Sequence, residues 1–338
     1  MKKVAINGFG RIGRNTLRAA VKSGIFHKLD FAAINDPGMT PELAAYLLEY
    51  DSVMGRFEGE IWPEPDAITV NGKKIKLLTG KDPLELTWKD LGIDVVIESS
   101  GFFTEAVKAK GHIQAGAKKV LISAPAKGED ITINLGVNQE MYDTTKHNII
   151  AMASCTTNCL APVAKVLNRE FGIINAFMTT AHGYTSSQLL LDGPSKKDVR
   201  RGRAAAINIV PTSTGAAKAV ELVLPEVKGK LEALALRVPV PAGSIIDLVA
   251  TTEKKITVDS VNQAFKRASE EELRGIIHYT EIPLVSSDYV GSPYSCVVDA
   301  KLTRVLGENM VKVFAWYDNE FGYSSRLAEC ALFIAEKM

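Results

Sequence analysis

Only four cysteines, Cys155, Cys159, Cys296 and Cys330, occur in 338 residues, too few for a disulfide framework in so long a chain. Cys155 and Cys159 are spaced i,i+4, and on a helix their Cβ vectors run alongside each other, a poor arrangement for a bridge. This cysteine usage points to a reduced, intracellular protein, expected in the cytoplasm. No apolar run approaches the roughly 20 residues of a membrane span, so no membrane partner is expected. The start, Met1-Lys2-Lys3-Val4-Ala5-Ile6-Asn7-Gly8, reaches glycine too soon for a signal peptide and reads as a first strand. Neither sign of charge prevails: 40 Lys and Arg against 39 Asp and Glu leave +1, which argues against a dedicated nucleic-acid site. Internal repeats, low-complexity tracts and an interdomain linker are absent, and no metal site is expected.

What is there is an ordinary globular composition, 46% hydrophobic and 23% charged, long enough for two domains with their own cores. Lys2–Asn7 reads as an apolar strand, followed at once by Gly8-Phe9-Gly10-Arg11-Ile12-Gly13, a helix from Arg14 to Ser23, and a second strand, Phe31–Ile34, ending in Asn35-Asp36. This is the dinucleotide-binding pattern. The glycines tighten the turn, the helix N-terminus faces a pyrophosphate, and an acid about 20 residues on reaches a ribose; Asp36 lies 36 − 13 = 23 residues after Gly13. Hairpin-like pieces surround Asn71-Gly72. Strand–helix alternation resumes from Asp94 to Ser123 and leaves Ser99, Ser100 and Ser123 at strand ends. There they are either ligand contacts at the carboxyl edge of a parallel sheet or plain turn and capping residues.

Asn148–Ala153 reads as a strand and Leu160–Glu170 as a helix, so Cys155 falls at a strand-to-helix junction. Free backbone N–H groups and the helix dipole there would lower a thiol's pKa and make it a nucleophile; the alternative is a small buried hydrophobe. A strand from Asn175 delivers His182, one of five histidines, at its end. Cysteine with histidine is a thiolate-forming pair, yet 182 − 155 = 27 residues separate them, and a strand-end histidine can equally be structural. Ser186–Ala206 reads as a long loop carrying the basic cluster Lys196–Arg203, followed by Pro211–Lys218, a hydroxyl-rich helix start suited to an anion. Arg237, inside the apolar strand Leu231–Val240, calls for a carboxylate or a bound anion. Strands Ser244–Thr252, Ser295–Leu302 and Met310–Trp316, with a helix Val258–Leu273, suggest a mixed sheet; a last helix carries an apolar stripe at Leu327, Ala331 and Ile334.

Five stretches in order, Asn7–Arg14, Ser154–Cys159, Pro211–Lys218, Arg237–Pro241 and Trp316–Ser324, resemble the phosphorylating glyceraldehyde-3-phosphate dehydrogenase family over essentially the whole chain. The resemblance implies a Rossmann-type doubly wound parallel sheet plus an α+β catalytic domain with a mixed, largely antiparallel sheet. The NAD-binding domain would be residues 1–154 completed by a C-terminal helix 318–338, and the catalytic domain 155–317. It implies oxidation of glyceraldehyde 3-phosphate with inorganic phosphate and NAD, in glycolysis and gluconeogenesis, by a cytoplasmic homotetramer. Cys155 would be the nucleophile and His182 the base. Thr185, Arg201 and Arg237 would hold substrate anions, and Ser154, Thr156, Thr214 and Gly215 the attacking phosphate. Asn7, Gly8, Phe9, Gly10, Arg11, Ile12, Asp36, Lys81, Ser100, Ser123, Asn319 and Tyr323 would bind the cofactor, Asn319 at the nicotinamide carboxamide. The loop from Gly183 to about Asn208 would line a neighbouring subunit's cofactor site.

Three positions depart from the family pattern: Gly183 after the histidine, Lys81 where an arginine flanks adenine, and Phe321 for a common tryptophan. Asp36, followed by Pro37 and Gly38, together with Pro194 favours NAD, with weaker use of NADP. A sister phosphosugar-aldehyde dehydrogenase, such as one acting on erythrose 4-phosphate with water as acceptor, is the alternative enzyme; Thr214-Gly215-Ala216-Ala217 argues against it. A non-catalytic scaffold binding NAD or RNA is the other alternative, against which stand Cys155 and His182.

Overall fold

In the computed structural model, which describes residues 1–195 and 198–338, chain contacts divide the molecule into two units. Lys196 and Lys197 of the basic cluster lie outside the described residues. One unit comprises Met1–Ile133, Gln139–Ala153 and Ser324–Met338; the other comprises Asn134–Asn138 and Ser154–Tyr323.

The first unit runs β1 (Lys3–Asn7), α1 (Arg11–Lys22), β2 (Asp30–Asn35), α2 (Pro41–Glu49), β3 (Ile61–Glu64), β4 (Ala67–Val70), β5 (Lys73–Leu78), α3 (Trp88–Leu91), β6 (Val95–Glu98), α4 (Ala106–Gln114), β7 (Lys119–Ile122), β8 (Ile131–Thr132) and β9 (Ile149–Ala151). Among the described residues these strands form one nine-stranded sheet in the order β3-β4-β5-β2-β1-β6-β7-β9-β8. Pairing is parallel from β5 to β8 and antiparallel only at the β3/β4 and β4/β5 ladders. Val4, Ala5, Ile6, Val95, Val96, Ile97, Val120, Leu121 and Ile122 are wholly buried. A parallel sheet covered on both faces asks for such continuous apolar runs. The β4–β5 hairpin turns at Asn71 and Gly72, with φ of 46° and 77°. Two consecutive left-handed residues match the right-handed strand twist, and Asn-Gly adopts them at least cost.

The second unit runs α5 (Cys155–Phe171), β10 (Ile173–Gly183), β11 (Val210–Ser213), α6 (Ala216–Val223), β12 (Leu231–Val238), β13 (Ser244–Thr252), α7 (Val258–Glu270), β14 (Ile277–Thr280), β15 (Cys296–Asp299), β16 (Arg304–Leu306) and β17 (Met310–Tyr317). α8 (Phe321–Lys337) starts in this unit, and the first unit takes it over from Ser324. The sheet order is β11-β12-β10-β13-β17-β15-β14, with β16 paired to β17. Among the described residues only the β10/β12 and β14/β15 strand pairs are parallel. Alternate residues of β13 (Ser244, Ile246, Leu248, Ala250, Thr252) are buried, the period expected of a sheet with one covered face.

Several expected bounds change: the first helix begins at Arg11 rather than Arg14, and the expected strand Ser295–Leu302 is a strand only over Cys296–Asp299. The helix after the Cys155 stretch begins at Cys155 rather than Leu160, because the Ser154 hydroxyl caps it by accepting from Thr157 N at 3.1 Å. Pro211–Ser213 is an edge strand, where a proline's missing N–H costs nothing, and the helix starts only at Ala216. The last helix begins at Phe321 rather than Asp318, whose carboxylate accepts from Glu320 N and Phe321 N at 2.8 and 2.9 Å and so stands before the first turn.

Candidate active site

The chain leaves β9 through Ala153, which holds φ at 54°, a left-handed conformation costly for any residue with a Cβ. That reversal, followed by the Ser154 cap, sets Cys155 at the first position of α5. His182 is the penultimate residue of β10 and lies in register with Arg237 on the parallel neighbour β12. Cys155 Sγ stands 3.3 Å from His182 Nε2. The other ring nitrogen, Nδ1, is 2.6 Å from the Gly183 carbonyl and 2.8 Å from Arg237 Nη1. A guanidinium can only donate. If Nδ1 carries its proton toward Gly183, Nε2 keeps a lone pair facing sulfur and the ring is a base. If Nδ1 accepts from Arg237, the ring proton sits on Nε2.

Electrostatics run against the expected low-pKa thiol. Burial pushes the Cys155 thiol up, outweighing the Arg237 charge and the Thr156 hydrogen bonds that pull it down. Burial, then the Arg237 charge, then that of Arg201, lower His182 to about 3, against a raising contribution from the Gly183 carbonyl. The pair therefore rests as a thiol and a neutral imidazole. The helix N-terminus is present, but desolvation of the half-buried cysteine is the larger effect.

Tyr317, at the end of β17, meets the His182 ring edge-on at 5.9 Å between centroids. Its buried hydroxyl bonds Thr156 Oγ1 at 3.0 Å and Thr180 Oγ1 at 2.9 Å, tying α5 to β10 behind the reacting pair. Asn319 is buried, and its Oδ1 accepts from Ser244 Oγ at 2.8 Å; that hydroxyl in turn accepts from Gly183 N at 3.1 Å. A Cβ on Gly183 would come within 3.3 Å of Asn319 Oδ1 and 3.1 Å of the Val240 carbonyl, so the glycine after the histidine is a close-packed position. Arg201 Nε donates to Thr212 Oγ1 at 2.9 Å, and Thr185 Oγ1 bonds Ser187 Oγ at 2.9 Å. No carboxylate of the described residues meets Arg237: Nη1 meets His182 and Gly183, and Nε has no partner among the described residues.

In the first unit, the carboxyl ends of β1, β2 and β6 open on a cleft of about 650 Å³ lined by Asn7, Gly8, Gly10, Asn35, Asp36, Pro37, Gly80, Lys81, Ser99, Ser100, Phe102, Phe103 and Lys108. Gly8, at φ 93°, could not carry a Cβ, which would fall 2.4 Å from Ser100 N; one on Gly13 would fall 2.2 Å from the Gly8 carbonyl. A Cβ on Gly10 would meet no protein atom, so the backbone there is open to close approach. Asp36 fixes the turn by accepting from Phe9 N at 2.8 Å and Gly38 N at 2.9 Å, and each oxygen keeps a lone pair. These features fit a dinucleotide: room, bare backbone where a pyrophosphate comes close, and a carboxylate for ribose hydroxyls.

Comparison with known proteins decides the family. Residues 2–106 match the family model for the glyceraldehyde 3-phosphate dehydrogenase NAD binding domain, and residues 154–319 that for its C-terminal domain. The chain belongs to the glyceraldehyde-3-phosphate dehydrogenase family. It is 55% identical over 335 residues to the glyceraldehyde-3-phosphate dehydrogenase of Geobacillus stearothermophilus, covering 99% of this chain and 98% of that protein. It is 55% identical over 338 residues to glyceraldehyde-3-phosphate dehydrogenase 2 of Trichormus variabilis, covering 100% and 99%. To glyceraldehyde-3-phosphate dehydrogenase 2 of Streptomyces avermitilis it is 53% identical over 336 residues, covering 99% of each.

For a member of this dehydrogenase family, the expected residues fall into distinct places. Asn7, Gly8, Gly10, Asp36, Lys81 and Ser100 line the cleft. Phe9, Arg11, Ile12 and Ser123 do not: Phe9 is wholly buried, and Arg11 is ion-paired to Asp51 at 2.5 Å. Ser123 merely continues β7, its N–H bonded to the Glu98 carbonyl at 2.9 Å. Ser154 and Thr156 have hydroxyls engaged at the cap and at Tyr317; Thr214 accepts from Ala216 N at 3.2 Å, and Gly215 caps α6. Tyr323 is buried at the start of α8. Sequence reasoning gave no role to Tyr317 or Ser244; the signal for Tyr317 was an inward aromatic two residues before Asn319, and for Ser244 a polar residue on the buried face of β13.

Proposed function

We propose that the chain oxidises glyceraldehyde 3-phosphate to 1,3-bisphosphoglycerate, consuming inorganic phosphate and reducing NAD. The observation that carries this is the 3.3 Å approach of Cys155 Sγ to His182 Nε2 with two guanidiniums close enough to perturb the ring. As Sγ bonds the aldehyde carbon, His182 Nε2 takes the thiol proton and returns it to the new alkoxide, leaving a thiohemiacetal on Cys155. NAD, when bound, supplies an acceptor for the hydride of that carbon. As the hydride leaves, His182 takes the hydroxyl proton and the carbonyl re-forms as a thioester. A phosphate oxygen then bonds the acyl carbon, and the C–S bond breaks with Cys155 departing as thiolate.

Arg237, Arg201 and Thr185 would hold the substrate's phosphate; Ser154, Thr156, Thr214 and Gly215 would receive the attacking phosphate. Asn319, its oxygen taken by Ser244, keeps an N–H donor for the nicotinamide carboxamide. Asp36 and Lys81 would serve the adenosine end, with NADP the weaker cofactor, and Tyr323 would support the nicotinamide end. Residues 1–154 with 318–338 would act as the cofactor domain, and 155–317 as the catalytic domain. A cytoplasmic homotetramer is supported by four free cysteines and by exposed Leu190, Leu191, Val199, Ile207 and Ile209 on the long loop and its continuation. The test is a spectrophotometric assay with glyceraldehyde 3-phosphate, each nicotinamide cofactor, and phosphate present or omitted. Reduction that depends on phosphate is expected. An equal rate without phosphate would overturn the phosphate pocket in favour of water as acceptor.

A further inference from the structure

We propose that His112, held by Trp88, is a positioning residue for the dinucleotide cleft: it gives Glu98 a fourth hydrogen bond and so holds in place the carboxylate to which Ser100 and Asn7 donate. This rests on the reading of that cleft as the NAD site. Glu98 ends β6 and is 2% exposed, a buried carboxylate that must be fully bonded to be tolerable. Its Oε1 accepts from Ser100 N at 2.8 Å and Ser100 Oγ at 2.5 Å; its Oε2 accepts from Asn7 Nδ2 at 2.5 Å and meets His112 Nε2 at 3.0 Å.

Which nitrogen of His112 carries the proton is settled from behind. The buried Trp88 indole, a donor only, gives its N–H to His112 Nδ1 at 3.0 Å. Nδ1 must therefore accept, the ring proton sits on Nε2, and Nε2 donates to Glu98. An ionised carboxylate only accepts, so Glu98, once held, sets the direction of its other neighbours. Asn7 turns its amide nitrogen to Glu98, so its Oδ1 accepts from Asn35 Nδ2 at 2.7 Å. Asn35 in turn gives Nδ2 to the Gly80 carbonyl at 3.0 Å and takes Gly80 N on Oδ1 at 2.9 Å. Glu98, held by His112, thus anchors a file of side chains beneath the ends of three strands.

Two consequences reach the ligand. Ser100 has given its proton to Glu98 and accepts from Phe102 N at 3.2 Å, so it keeps one lone pair for a ligand hydroxyl or amino group and no proton for a phosphate. Ser100 N also lies under Gly8, where a Cβ would fall at 2.4 Å, so its position sets that of the glycine turn. Ordering by a buried polar network of this kind is lost when one member changes, since the others keep their desolvation but lose a partner.

The experiment measures NAD affinity by calorimetry, Tm, and the KM against kcat split in the full-length protein carrying His112→Phe, His112→Gln and Glu98→Gln. His112→Phe and Glu98→Gln should raise the NAD Kd and KM roughly tenfold or more, with kcat at saturating NAD within about twofold. His112→Gln, which can accept from Trp88 and donate to Glu98, should recover most of the affinity. In Ser100→Ala the cost of His112→Phe should shrink. If His112→Phe does not fold, Glu98→Gln and His112→Gln carry the comparison. Variants with lower Tm and unchanged NAD Kd would overturn the positioning role, and so would full additivity with Ser100→Ala. Failure of the unsubstituted protein to bind NAD would instead overturn the reading of the cleft.

Discussion

Replacing Arg237 by leucine should restore part of the basicity that His182 has lost. His182 is lowered to about 3 from an ordinary value of 6.5, by burial first and by the Arg237 charge second. Arg237 Nη1 lies 2.8 Å from the ring. At that distance two unit charges repel by roughly 1.5 kcal/mol in a water-like medium and about 6 kcal/mol at an effective dielectric of 20. The first is about one pK unit. Because burial is the larger cause of a total shift of 6.5 − 3, about 3.5 units, the upper figure is too high, and one to two units is the expected rise. His182 in Arg237→Leu should then titrate near 4 to 5. NMR titration of histidine-labelled protein reads this directly: only five histidines are present, and His182→Asn assigns the signal. The linkage has a definite sign. A buried imidazole that resists protonation leaves folding unaffected above pH 6.5 and destabilises it as pH falls from 6.5 toward 3, by at most ~5 kcal/mol. That acid penalty should be smaller in Arg237→Leu. The same variant should weaken binding of the phosphorylated aldehyde more than of a non-phosphorylated one. An unchanged His182 titration would show that the guanidinium does not govern the ring.

Alkylation of Cys155 by iodoacetamide should rise about tenfold per pH unit through pH 9, because burial pushes the thiol up, while buried Cys159, Cys296 and Cys330 label slowly. A rate flat below pH 7, read by peptide mapping, would mean that a thiolate is already present. His182→Asn should lower turnover by about 10²–10⁴-fold, the usual worth of a general base, and unchanged turnover would remove it from the mechanism. Asp36→Ala should reduce the ratio of kcat/KM for NAD over NADP, since a carboxylate about 4 Å from a 2′-phosphate repels it by at most roughly 4 kcal/mol; a ratio that does not move excludes Asp36 as the selector. Ala153→Gly should not destabilise the fold, because relief of about 1 kcal/mol of left-handed strain offsets a buried methyl of about 0.8 kcal/mol. A loss above about 2 kcal/mol in chemical denaturation would refute the strain.

Some of the architecture could be read before any coordinates because its causes are local. The glycine turn after β1 is set by the absence of Cβ atoms at Gly8 and Gly13, the β4–β5 hairpin by Asn71-Gly72, and the bounds of β13 by strict alternation from Ser244 to Thr252. Where reading along the chain erred, a capping side chain or a neighbouring strand had intervened. The Ser154 cap pulled the helix start forward to Cys155, and the β12 ladder drew Pro211–Ser213 into an edge strand.

By itself the sequence determined which chemistry-bearing residues exist and where local turns and periodicities put them: Cys155 after a strand, His182 at a strand end, Arg237 within an apolar run, and Asp36 closing the second strand. Tertiary structure alone decided what those residues face. Cys155 and His182 meet because the start of α5 packs against the end of β10, and Arg237 meets a histidine because β12 pairs in parallel with β10 in one register. The direction of the thiol's shift belongs to the same class, since desolvation is a sum over everything packed around a sulfur and no window of sequence contains it. Trp88, His112, Glu98 and Asn7 likewise carry no shared motif; they lie on four separate elements, and only the packing of two helices against the sheet makes them one file of hydrogen bonds. Periodicity and turn chemistry are properties of neighbours in the chain, whereas proximity and burial are properties of neighbours in space.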